Sequence, residues 1–145
     1  MPDYVLDATV VAPPNRDIVA RRLGNAVDRR LAVIQQVVAG ARRLRYNTKL
    51  LGEYQRLTQN SRDDVIVLFF IILDSARSVF VGRNTLSRQN YSTAVDRCRW
   101  PGHDQHLLAA ALDGDDSTIV VTESRLAQCA TRILRYFHVH VEYLA

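Results

Sequence analysis

The order of apolar segments predicts an α/β fold with three layers, α/β/α, around a mainly parallel sheet of four or five strands. Three observations predict it. Short β-type runs alternate with stretches of helical periodicity, the pattern of strands joined by crossover helices. Two of those runs, Tyr4–Leu6 and Thr118–Val121, end beside an acid, Asp7 and Glu123. The length, 145 residues with 48% hydrophobic, suits one domain with one core spanning residues 1–145.

Each element follows from local chemistry. Tyr4-Val5-Leu6 reads as a strand that stops at Asp7, and Pro13-Pro14 breaks the chain. From Asp17 to Val38, apolar residues (Ile18, Leu23, Val27, Leu31, Ile34, Val38) recur at helical spacing; Gly24 weakens that helix and Gly40 ends it. Arg43–Tyr46 alternates charged and apolar side chains, as a short strand does. Asn47 or Thr48 then caps a helix to Gln59, with Leu50, Leu51, Tyr54 and Leu57 on its apolar face and Glu53 within it. Ser61 caps the next helix, with Asp63 and Asp64 in its first turn. That helix is expected to run from Val65 to Phe80, apolar nearly all round, until Gly82 stops it.

The segment from Gly82 to Gly102 is the least periodic, with a short strand expected around Thr93–Cys98. A connection of this length is often functional. His103–Leu112 reads as a helix opening with Asp104, and Asp113 to Asp116 as a solvated turn rather than a calcium loop. Ser124–Phe137 is expected to be an amphipathic helix with Leu126, Ala130, Ile133, Leu134 and Phe137 inward, before a last strand at Val139–Tyr143.

Composition narrows the function classes. The net charge is +4, and 18 of the 19 basic residues are Arg, with Lys49 alone as lysine. Arginine's planar fork matches phosphate, which suits a nucleic-acid partner; a general bias of the genome toward Arg explains it equally well. The longest apolar run, Val65–Leu73, is far short of the ~20 residues that span a bilayer, so no membrane role is expected. No signal peptide is visible, and Cys98 and Cys129 lack metal-site spacing, which points to a reducing, cytoplasmic setting.

Four acids form a candidate site. Asp7 and Glu123 follow strands, at the edge where open α/β sheets bind ligands. Asp104 opens a helix that can start at the same edge, and Glu53 lies in a helix leaving the second strand. Converging carboxylates repel unless neutralised, and hard cations such as Mg²⁺ or Mn²⁺ do that through oxygen ligands. Taken singly, each acid also reads as a turn residue, a helix-start acid or a solvated helix residue. His103 and His106 flank Asp104 and read as helix-start histidines near solvent. Asp74, placed inside the apolar helix, reads as a structural acid paired with Arg77.

Four segments together resemble the PIN-domain nucleases. Tyr4-Val-Leu-Asp-Ala-Thr9 is similar to the family's opening strand, with an acid followed two residues later by a small polar residue. Leu50-Leu-Gly-Glu-Tyr-Gln-Arg-Leu57 resembles the helix of the second acid, and Asp104-Gln-His-Leu-Leu-Ala-Ala-Ala111 that of the third. Ile119-Val-Val-Thr-Glu-Ser-Arg-Leu126 resembles the last motif. There the family usually has Gly-Asp after the Thr and often a later acid. Here Glu123 follows Thr122 directly and Arg125 takes the later place.

The resemblance spans almost the whole chain and implies a PIN-like fold and an Mg²⁺- or Mn²⁺-dependent endoribonuclease, including the toxin of a toxin–antitoxin pair with an antitoxin as partner. It implies that Asp7, Asp104 and Glu123 hold the metal, directly or through water, and that Glu53 positions a metal-bound water. Thr9 and Thr122 would hydrogen-bond within the acid cluster or to the scissile phosphate. Arg97 and Arg99, in the segment before Asp104, are expected to grip single-stranded RNA. The apolar Val65–Phe80 helix leaves room for a homodimer interface. Two other readings share the acidic crevice: a degenerate PIN-like module that binds RNA or protein without cutting, and a phosphatase-like or regulatory α/β domain.

Overall fold

A computed structural model describes residues 3–11, 25–58, 64–75, 78–114 and 116–144. The expectations for Pro13-Pro14, for the helix between Asp17 and Gly24, for Gln59, Ser61, Asp63, Arg77 and Asp115 lie outside the described residues.

Five parallel strands form the sheet: β1 (Asp3–Leu6), β2 (Arg43–Tyr46), β3 (Ser78–Phe80), β4 (Ser117–Val121) and β5 (His140–Tyr143), in the order β3-β2-β1-β4-β5. Helices complete a three-layer α/β/α arrangement, as the alternation of strands and helices predicts. The register sets Tyr4 between Leu44 and Thr118, and Leu6 beside Val120. The centre of the sheet is fully apolar: Val5, Leu6, Leu44, Ile119, Val120 and Val121 are all completely buried, as strands covered on both faces require. The chain first builds outward from β1 to β2 and β3, then returns to place β4 on the other side of β1. The strand order therefore reverses between β1 and β4.

Two anchors hold the helix Thr48–Leu57 in place. Asn47 is its N-cap: its Oδ1 accepts from the Leu50 amide, and its Nδ2 donates to the Arg83 and His106 carbonyls. Tyr54, completely buried, donates its hydroxyl to the Leu6 carbonyl at 2.5 Å. The helix Asn25–Val38 packs on the helix Asp64–Leu73, and Gly40, with φ 83°, closes it as expected.

Several expectations need correction. The apolar helix does not reach Phe80. It ends at Leu73, where the Ser75 hydroxyl takes the Ile72 carbonyl and the Ser78 and Tyr46 hydroxyls take that of Leu73. Ser78–Phe80 is then free to pair with β2 as the edge strand, so Gly82 stops a strand. Asp74 falls just past the helix and is exposed. Thr93–Cys98 is not a strand: Arg88–Ser92 is a short helix capped by Ser87, running into a π-turn at Thr93–Arg97. The segment Ser124–Phe137 is two helices, Ser124–Ala127 and Ala130–Phe137, with Leu134 turned to solvent; Leu57 is also exposed.

Candidate functional site

The reversal between β1 and β4 opens a crevice at the carboxyl ends of those strands, where open α/β sheets bind ligands. Asp7 leaves β1 there, its amide bonded to the Val120 carbonyl at 3.0 Å. Thr122 and Glu123 leave β4 beside it. The two hydroxyls of Thr9 and Thr122 meet at 2.5 Å across the crevice, joining segments 113 residues apart. The Tyr54 anchor on Leu6, the residue before Asp7, fixes the neighbouring Glu53 relative to β1. Asp104 is held from behind, because the Trp100 indole donates to its carbonyl at 2.9 Å. Trp100 is itself buried, reached through Arg99 in a left-handed conformation with φ 64°.

Asp7 stands within electrostatic reach of the other three expected acids. Burial pushes Asp7 up to about 6, and repulsion from Asp104, Glu123 and Glu53 adds to it; the Ala8 amide pulls the other way. Asp7 is the most deeply buried of the four, 8% exposed, and Glu123 repels Asp104 as well. Asp104 is raised first by burial, against His103, His106 and Arg125, which pull it down. Glu53 is raised by burial, against Lys49 and Arg56. Glu123 sits half-exposed at the rim, 3.8 Å from Arg125.

His106 joins them unannounced. It is 2% exposed, and its Nε2 lies 2.6 Å from Glu53 Oε1, yet neither atom has the alignment of a hydrogen bond. Burial, aided by Lys49, pushes the imidazole down to about 4, so it is neutral at physiological pH and the contact is not an ion pair. His103, by contrast, is exposed, as its sequence context predicts. Its Nε2 takes a hydrogen bond from Arg125 at 3.2 Å, so the 3.3 Å approach of Asp104 Oδ2 to the same nitrogen brings two acceptors together. Asp104 Oδ2 and Glu53 Oε1 are thus buried oxygens without a hydrogen-bond donor.

Buried carboxylate oxygens with no donor, Asp104 Oδ2 and Glu53 Oε1, fit a hard divalent cation by their chemistry. Among the described residues no three His, Cys, Asp or Glu side chains form a ready coordination shell. Mg²⁺ tolerates such a site because it keeps several waters and takes few protein carboxylates.

Arg97 lines a surface cavity of about 710 Å³ with Arg88, Gln89, Ser92, Thr93 and Asp96. Arg99 is exposed. The cations that bear on the acids are Lys49, Arg56 and Arg125 rather than these two. Cys98 and Cys129 are free, buried thiols. No helix among the described residues is long and apolar enough to cross a membrane. Compared with known proteins, the chain matches no family model, no curated protein and no solved structure.

Proposed function

We propose that this protein is a metal-dependent endoribonuclease of the PIN type, working in the cytoplasm on single-stranded RNA. The observation that carries the reading is the gathering of Asp7, Glu53, Asp104 and Glu123 at the β1–β4 switch, with Asp7 held at about 6 by burial and by the other three. Such a cluster costs stability unless a cation neutralises it, and buried, strongly perturbed acids mark functional sites.

Asp7, Asp104 and Glu123 are the residues that would hold Mg²⁺ or Mn²⁺. Bound there, the ion would offset phosphate charge and make a water more acidic. Glu53, whose Oε1 lies 2.6 Å from His106 Nε2, would orient a water in the crevice and take its proton. The raised pKa of Glu53 makes it a better base than an ordinary glutamate. The Thr9–Thr122 pair ties the two strand ends together and, with one hydrogen used between them, leaves one hydroxyl donor for a phosphate.

The test is cleavage of an end-labelled, unstructured RNA. Cleavage in Mn²⁺, its loss in EDTA and its return on adding Mn²⁺ support the reading; cleavage that persists in EDTA overturns it. A second reading, RNA binding without cleavage, draws on Arg125 standing 3.8 Å from Glu123 as a built-in cation. It is favoured if RNA is bound, with salt-sensitive affinity, but stays intact in Mn²⁺.

A further inference from the structure

The acids of the crevice have two exposed cations beside them, Lys49 and Arg125. Lys49, the only lysine in the chain, stands one helical turn before Glu53 and places its ammonium 3.4 Å from the His103 carbonyl. Arg125 reaches the same residue at its ring, bonding it at 3.2 Å and lying 3.8 Å from Glu123. The two cations therefore flank His103, directly beside Asp104. Neither is buried: Lys49 is exposed, and Arg125 keeps 59% of its side chain in solvent. Each has donors to spare, since an ammonium carries three and a guanidinium five.

A polyanion approaching four carboxylates is repelled unless positive charge meets it first. We infer that Lys49 and Arg125 form a two-pronged phosphate clamp at the mouth of the acid site, gripping consecutive phosphates of one RNA strand. The clamp rests on the ribonuclease reading and sharpens it: the substrate is a chain of phosphodiesters, not a single phosphate monoester. Lysine serves one prong as a compact point charge and arginine the other as a planar fork. The His103 carbonyl and ring hold the two in place before substrate arrives, so little side-chain freedom is lost on binding.

The experiment measures anisotropy of a fluorescein-labelled, unstructured 12-nucleotide RNA in EDTA, over a salt series, so that binding is read without turnover. Lys49→Gln and Arg125→Gln are each expected to reduce the slope of log affinity against log salt by about 0.7, and the double variant by about 1.4, the counterion release of one and two single-strand phosphates. Lys49→Arg, which keeps the charge, should retain the wild-type slope. Wild-type slopes in both Gln variants would overturn the clamp, as would failure of the wild type to bind RNA. Loss of the clamp with Mn²⁺-dependent cleavage intact would leave the nuclease reading standing. The slope change without cleavage would do the reverse.

Discussion

Asp3 and Asp7 sit at the two ends of β1, four residues apart and almost equally buried, at 3% and 8% exposure. Their surroundings are opposite. Asp3 accepts from Arg43 at 3.0 and 3.2 Å and from Arg45 at 3.4 Å. Arg45, itself buried, also donates to the Ala110 and Leu112 carbonyls at 2.8 Å, capping the end of the helix Gln105–Ala111. Among the described residues Asp7 has no arginine partner; the charges that bear on it are three more acids. Burial is common to both ends, so burial does not separate structure from function here. Compensation does: Asp3 is closed off by charge pairing, and at Asp7 no described cation does the same.

The comparison can be broken most directly by exchanging the two acids for amides. Asp7→Asn should slow Mn²⁺-dependent RNA cleavage by about a thousandfold, the several kcal/mol that a metal ion contributes. Asp3→Asn should keep its rate per folded molecule. Equal losses in initial rates, normalised to folded protein, would erase the distinction.

Stability should respond in the opposite sense. Asp3→Asn leaves Arg45 buried with only carbonyl partners, and urea denaturation should show a loss of about 3 kcal/mol. Asp7→Asn should stabilise the metal-free protein. A carboxyl whose folded pKa is raised favours the fold while protonated, and that advantage is lost as pH rises from the ordinary 3.8 through about 6. The wild type should therefore lose about 3 kcal/mol over that window relative to Asp7→Asn, with the two equal below pH 4. Curves that run parallel from pH 4 to 8 would contradict the account of Asp7.

A smaller change probes how the site is held. Tyr54→Phe removes the hydroxyl from the Leu6 carbonyl and should cost about 1 kcal/mol of stability. Because that bond ties the Glu53 helix to the Asp7 strand, cleavage should fall more than the stability loss explains. A rate that follows only the folded fraction would reduce Tyr54 to packing.

Much of this was legible in the sequence because its signals are local. A β run ending in an acid marks Asp7 and Glu123, and Asn47 ahead of an amphipathic run marks the helix that carries Glu53. Where the decisive partner lies far along the chain, reading failed. The helix Asp64–Leu73 looks continuous with Ser78–Phe80 because both are apolar. It ends where it does because Tyr46, from β2, and the two serines take its last carbonyls. Thr93 and Val95 carry β-type side chains, yet the π-turn bonds that segment to itself and buries Ala94 and Cys98. His106 reads as a surface histidine beside Asp104, and only the fold sets it against Glu53. Its spacing from Asp104 is the one local hint, since it places both on the same short stretch at the crevice.

On the proposed function, the carboxyl end of β1 holds negative charge in wait for a cation. Carbon-13 NMR of the Asp7 carboxyl tests it most directly, in a titration without metal and again with Mg²⁺. The midpoint is expected at about 6 without metal, moving down toward or below the ordinary aspartate value as Mg²⁺ binds. A midpoint already near 4, unmoved by Mg²⁺, would contradict it.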